Sequence, residues 1–299
     1  MRNTVANKII EYAKKDSNLY LISGDAGLGV WDGFRVDHPH QYINPGVNEA
    51  LCVGMAAGMA LRGHKVVYYN IAPFVVMRPY EQVRNDICYQ ELPVILVGTG
   101  SGLTYAPAGM THYAIEDIAL ARTMPNLDVF SPADPIEAAL CFEYAYKSDK
   151  PSYIRVPKAG EPKIHKNENF DISEPQTMCD GRDVLIISHS AMVEESMLAA
   201  KTLEEEGISA KVVSMPMINS SHPKIDELLR FEGKIFVVEE HYASGGLGTV
   251  LSEKTDKKIH KIALPSEFVH AIGNRDYMRM HYGIDSDSIA VKIKDALNG

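Results

Sequence analysis

The chain has 299 residues, 45% hydrophobic and 23% charged, so it is long enough for two domains of ordinary size and too apolar to be disordered. Its net charge of −9 argues against a nucleic-acid surface, and no apolar run approaches membrane-spanning length. The four cysteines, Cys52, Cys88, Cys141 and Cys179, show no CxxC or paired spacing, which points to buried thiols in a reducing compartment, the cytoplasm by default, and away from a disulfide frame or zinc site.

Met1-Arg2-Asn3-Thr4 leads into an amphipathic helix expected over about 2–15, carrying Lys8, Glu11, Lys14 and Lys15, unlike a secretory leader. A strand over about 18–23 runs into Gly24-Asp25-Ala26-Gly27-Leu28-Gly29. No Lys-Ser or Lys-Thr pair follows these glycines, so a turn is a better reading than a phosphate loop; Asp25, at the strand's carboxyl end, is placed to face a site.

A helix expected over about 46–62 carries an odd charge. Asn44 suits its cap and Pro45 its first position, and Glu49 then shares a stripe with Cys52, Val53, Ala56 and Ala60. A carboxylate on that stripe is costly to ionise without a polar partner, although a solvated residue favouring the helix dipole is the plain alternative.

A strand over about 65–71 is followed by a helix over about 78–90, and Phe74, Met77 and Tyr80 recur at helical spacing, a stripe that is ordinarily core. The strand over about 93–98 ends in Gly98-Thr99-Gly100-Ser101-Gly102, and Gly109-Met110-Thr111-His112 precedes a helix over about 114–124. Ligands usually bind at the carboxyl ends of such strands, so His112 is either a helix cap or a group for acid, base or hydrogen-bond work. Strands over about 127–130 and 152–156 flank a helix over about 134–147, and Arg155-Val156-Pro157-Lys158 puts two cations at the ligand edge, for a substrate anion or for solvent.

Residues 161–182, with Pro162 and Pro175, read as a linker between domains at 1–160 and 183–299. Strands over about 184–187, 210–213 and 235–238 alternate with helices over about 191–206 and 223–230 in the second domain. The fold class is therefore α/β, two doubly wound domains with mostly parallel sheets. Gly245-Gly246-Leu247-Gly248 after Glu239-Glu240-His241 suits an anion nest or, better, a tight packing turn.

Taken in order, these segments resemble the pyrimidine-binding and carboxyl-terminal domains of the transketolase family of thiamine diphosphate enzymes. Asn44 to Gly58 is similar to the catalytic-glutamate segment, Ala72 to Asp86 to the aromatic segment, and Gly109 to Ala119 to the Gly-x-Thr-His loop. The resemblance implies that Glu49 meets a ring nitrogen of the aminopyrimidine and promotes its imino tautomer. By it, Phe74, Met77 and Tyr80 wall that ring and His112 contacts the donor sugar, while Arg155 and Lys158 are candidates for an anionic end of the substrate.

The family's earlier loop histidine and its aspartate before Thr-His are replaced by Gly100 and Ala108, and Tyr105 and Pro107 make the loop bulkier and more apolar. An ordinary pentose phosphate is therefore not the expected substrate. The family's diphosphate-binding domain, with its Mg2+ site, has no counterpart here, so the resemblance implies an N-terminal partner subunit that holds both. Gly54, Ala56, Ala57, Gly58 and Ala60 suggest close helix approach between two copies of this chain, and hence two copies of each subunit. The competing readings are a beta subunit of an oxo-acid dehydrogenase and a noncatalytic regulatory or scaffold partner.

Overall fold

The computed structural model describes residues 1–158 and 160–299. In the first half, strands β1 (Leu19–Ile22), β2 (Tyr42–Ile43), β3 (Lys65–Ile71), β4 (Ile95–Thr99), β5 (Asp128–Phe130) and β6 (Ser152–Val156) form one parallel sheet ordered β2-β1-β3-β4-β6-β5. Helices α1 (Arg2–Lys15), α2 (Asp32–Asp37), α3 (Glu49–Leu61), α4 (Tyr80–Gln82), α5 (Asp117–Ala121) and α6 (Pro135–Lys147) accompany it. Side chains of β3 alternate between two cores: Val66 and Tyr68 meet α3, while Val67 and Tyr69 lie in the core that α1 and α6 share. With both faces covered, the strand reads as a continuous apolar run. The chain leaves β1 toward β2 on one side and returns to β3 on the other, so the crevice at the carboxyl ends of β1 and β3 is a topological switch point.

In the second half, β7 (Gln176–Cys179), β8 (Val184–Ser188), β9 (Ala210–Ser214), β10 (Lys234–Tyr242) and β11 (Ile259–Leu264) are ordered β11-β10-β8-β9-β7, with β7 antiparallel. Helices α7 (Met192–Glu205), α8 (Lys224–Leu229), α9 (Leu247–Ser252), α10 (Arg275–Tyr282) and α11 (Ser286–Asn298) complete the domain. The halves are joined through backbone: Ser131 N donates to Pro216 O at 2.7 Å, Ser190 N to Ser131 O at 3.0 Å, and Tyr242 N to Ile115 O at 2.8 Å. Among the described residues no helix is long and apolar enough to cross a membrane.

Several expectations need correction. The linker expected over 161–182 is partly built in: β7 falls inside it, Ile172 is buried, and His165 is clamped 3.2 Å from both Asp134 and Glu137. A short edge strand with mixed exposure carries no clear period, which hides it. Helix α3 starts at Glu49, later than expected, because Asn48 caps it by accepting from Leu51 N at 3.1 Å. Asn44 instead accepts from Gly46 N at 2.9 Å in a turn where Gly46 has φ +81°. The aromatic helix begins earlier than 78, as the π-helical turns Pro73–Met77 and Val83–Cys88 on either side of α4. Of the small residues on α3, Ala56, Ala57 and Ala60 are buried in the chain's own core; the outward positions are Leu51, Gly54, Gly58 and Leu61.

Candidate active site

Glu49 opens α3 beside the switch-point crevice. The turn at Gly46 that leads into it packs against the loop after β1, where a Cβ on Gly24 would lie 2.6 Å from Gly46 O, so glycine is required for that approach. The Glu49 side chain is 8% exposed, and its Oε1 accepts from Arg78 Nη1 at 2.6 Å. Arg78 in turn lies over Phe74, its guanidinium carbon 3.9 Å from the ring centroid. Phe74 meets the His112 ring edge-on at 5.4 Å between centroids. Glu49, Arg78, Phe74 and His112 thus form one continuous group, drawn from three separate stretches of chain. The sequence reading missed Arg78, although its signal was present: it follows Phe74 by four residues.

Met77 and Tyr80 are half-buried in the same segment, and the Tyr80 hydroxyl shares a hydrogen bond of 2.7 Å with Thr123 Oγ1. His112 Nδ1 lies 2.9 Å from Thr111 Oγ1, which engages one ring nitrogen and leaves Nε2 for other partners. Asp25 is exposed at the end of β1 and lines a small cavity with Trp31, Arg35 and Asn44.

The loop carrying His112 is shaped by Tyr105 and braced by the second domain. Gly100 has φ +89°, and a Cβ there would meet the Tyr105 ring at 2.1 Å, so Tyr105 occupies the space a side chain at 100 would need. Its ring also faces His112, with centroids 6.2 Å apart, and the exposed Lys158 places Nζ 5.6 Å from the Tyr105 centroid. From the second domain, Glu240 accepts from Leu103 N at 3.0 Å and pairs with Arg275 and Arg279. Burial alone would raise the Glu240 carboxyl; Arg275 and Arg279 outweigh it and hold the group far below the usual carboxylate range. No sequence signal tied Glu240 to a loop in the other domain.

Arg155 is not available to a substrate, a correction to the sequence reading. It is 1% exposed; Nε donates to Asp117 at 2.7 Å, Nη1 to Ser131 at 3.2 Å and Nη2 to Ala114 O at 2.7 Å. Strand β6 is buried along its whole length, Arg155 included, whereas Lys158 lies beyond the strand and stays exposed. Next to Asp117, burial followed by the Asp117 charge raises Glu116 to about 7. The Gly245-Gly246-Leu247-Gly248 nest is filled from within: Glu239 accepts from Leu247 N at 2.8 Å and Gly248 N at 3.0 Å.

A nearly enclosed carboxylate and an aromatic side chain thus lie on a doubly wound domain, with a second α/β domain bracing the facing loop. Residues 1–162 match the transketolase pyrimidine-binding domain and residues 174–289 the transketolase C-terminal domain. The chain belongs to the transketolase family and carries its pyrimidine-binding and C-terminal domains, and thiamine diphosphate dependence follows from that membership. It is 31% identical over 296 residues to one of the subunits of an apulose-4-phosphate transketolase of Phocaeicola vulgatus, covering 96% of this chain and 94% of that one. It is 33% identical over 308 residues to a putative transketolase C-terminal section of Methanocaldococcus jannaschii, covering 99% and 96%. A solved split-gene transketolase, described as an inactive beta4 tetramer, superposes with a TM-score of 0.89 at 28% identity, covering 99% of this chain and 98% of that one.

The residues present fit the pyrimidine end of that cofactor. Glu49 offers a shielded carboxylate, and the flat guanidinium of Arg78 already lies between it and the face of Phe74, which demonstrates room for a planar N–H donor there.

Proposed function

We propose that this chain supplies the pyrimidine pocket and the sugar-facing loop of a two-chain transketolase, active only with an N-terminal subunit that holds the diphosphate and Mg2+. The observation that carries the reading is Glu49, a nearly enclosed carboxylate linked through Arg78 to the Phe74 ring, which His112 meets edge-on. Two copies of each chain would assemble, with the outward α3 stripe of Leu51, Gly54, Gly58 and Leu61 as the contact between copies of this one. The cytoplasm is the compartment that suits such an enzyme and its free thiols.

Bound thiamine diphosphate supplies the electron sink for breaking the carbon–carbon bond of a ketose. The Glu49 carboxyl would hydrogen-bond a nitrogen of the pyrimidine ring. Phe74, Met77 and Tyr80 wall the ring and exclude water. His112, with Nδ1 engaged by Thr111, offers Nε2 to a substrate oxygen. Asp25, exposed at the end of β1, is a candidate for the cofactor's edge on that side, although the small cavity it lines includes neither Glu49, Phe74 nor His112. Lys158 supplies a positive charge for an anionic end of the sugar.

The substrate is a sugar phosphate or similar anionic sugar outside the usual pentose phosphate pairs. Gly100 and Ala108 lack the family's two polar side chains, and Tyr105 fills the room beside Gly100. The relative that acts on apulose 4-phosphate, by its name, supports a substrate of that kind.

The test is to purify the chain with its coexpressed N-terminal subunit and screen ketose donors for cleavage with an aldose acceptor. Ketol transfer from a branched, deoxy or otherwise modified ketose, and none from this chain alone, is the expected result. Xylulose 5-phosphate as the best donor overturns the substrate reading. Turnover that requires an external oxidant favours an oxo-acid dehydrogenase, and an assembly that binds no thiamine diphosphate favours a noncatalytic partner.

A further inference from the structure

Arg78 occupies the position that the cofactor reading assigns to the pyrimidine. Its guanidinium is flat, carries N–H donors, lies 3.9 Å from the centroid of the Phe74 ring and donates to Glu49 Oε1 at 2.6 Å. Those are the two contacts, a ring face and a carboxylate, that an aminopyrimidine would need from this chain. The Phe74 face that Arg78 covers cannot take both groups together, and Glu49 Oε1 is already engaged.

The way Arg78 is held sets it apart from the structural arginines. Arg155 and Arg279 are enclosed and engage several partners each. Arg78 has a side chain 50% exposed, and its bond to Glu49 is the one side-chain hydrogen bond it makes among the described residues. A long, half-solvated cation of that kind leaves at little cost, because water replaces what it loses. While it stays, it neutralises a carboxylate that would otherwise sit shielded and unpaired at the start of α3.

We propose that Arg78 is a place-holder for the cofactor: in the cofactor-free chain its guanidinium pairs with Glu49 and covers Phe74, and the pyrimidine displaces it into solvent on binding. Cofactor affinity is then set by competition with a residue of the chain itself. The inference rests on the thiamine diphosphate reading above and adds to it the identity of the group that must move.

The test is calorimetric titration of thiamine diphosphate, with Mg2+ present, into the complex of this chain with its N-terminal subunit. Arg78→Met keeps an unbranched side chain and removes the charge and the N–H donors. The variant complex is expected to bind about tenfold more tightly than the wild type. In the chain alone, Arg78→Met lowers the Tm, and it lowers it far less in a Glu49→Gln background, because the charge that Arg78 neutralises is gone. Equal or weaker cofactor binding by Arg78→Met overturns the proposal. If that variant does not fold, Arg78→Gln takes its place in the same comparison, with tighter binding expected and equal or weaker binding overturning the proposal. A wild-type complex that binds no cofactor overturns the function reading instead.

Discussion

Arg155 Nε lies 2.7 Å from Asp117 Oδ2, and both side chains are at most 1% exposed, so the last strand of the first sheet is tied to α5 by a fully enclosed ion pair. Tyr153 donates to the same carboxylate oxygen at 2.7 Å. The hydroxyl of Ser131 joins this network to His189 of the second domain at 2.8 Å. Coulomb attraction at this depth is strong, but so is the cost of removing two charges from water, and the pair's chief consequence is that neither partner can be removed alone.

Arg155→Met is therefore expected to destabilise the chain by about 3–5 kcal/mol, because Asp117 would be left buried and uncompensated. Denaturant unfolding of the chain alone checks it. A variant of wild-type stability with a weakened preference for anionic sugars would return Arg155 to the substrate site.

Glu49→Gln in the assembled enzyme is expected to keep the fold and most of the cofactor affinity while lowering turnover by roughly two to four orders of magnitude, the scale of a lost proton-transfer group. The amide matches the carboxylate in size but does not share its proton in the same way. Steady-state kinetics at saturating cofactor measures this, and turnover near wild type would reduce Glu49 to a dipole-stabilising residue.

Glu240→Gln leaves the shape of the interdomain contact and removes the charge that accepts from Leu103 N and from Arg275 and Arg279. Loss of a charge-assisted bond there is expected to speed amide exchange at Leu103 by about tenfold or more. In the complete enzyme the donor KM should rise more than kcat falls, since His112 sits on the same loop. Unchanged exchange at Leu103 would show that the loop holds its own shape.

His165 gives the linker a pH dependence. Burial opposes its charge, but Asp134 and Glu137 outweigh burial and raise its pKa from 6.5 to about 9. A folded-state pKa above the unfolded value gives stability that is fully present below about pH 6.5 and is lost as pH rises through about 9. His165→Gln should therefore cost on the order of 2 kcal/mol at pH 6 and less than half of that at pH 10. Equal losses at both pH values in thermal or denaturant unfolding would show that the imidazole acts there only by packing.

The site was legible where a residue type conflicted with its local pattern. Glu49 stood out because a carboxylate on an apolar helical stripe needs a partner, and the structure supplies one in Arg78. The strands β3, β4, β8 and β10 were legible because sheets covered on both faces require continuous apolar runs. Strand β2, with two residues, and β7, on an edge, bury too little to leave such a trace.

The sequence by itself determined the alternation of strands and helices, the two-domain division and the presence of an out-of-place carboxylate, since each follows from periodicity or composition over a short stretch. Only the tertiary structure decided what the charges meet. Arg155 faces Asp117 from 38 positions away, Glu240 reaches Leu103 from 137, and Arg78 covers Glu49 from 29. Ion pairs and hydrogen bonds depend on distances of a few ångströms between segments remote in the chain, and a local pattern does not encode such distances. Arg155 thus moves from the candidate substrate site to the core, and Arg78 joins the Glu49 group, for a single reason: the direction in which the fold points each side chain.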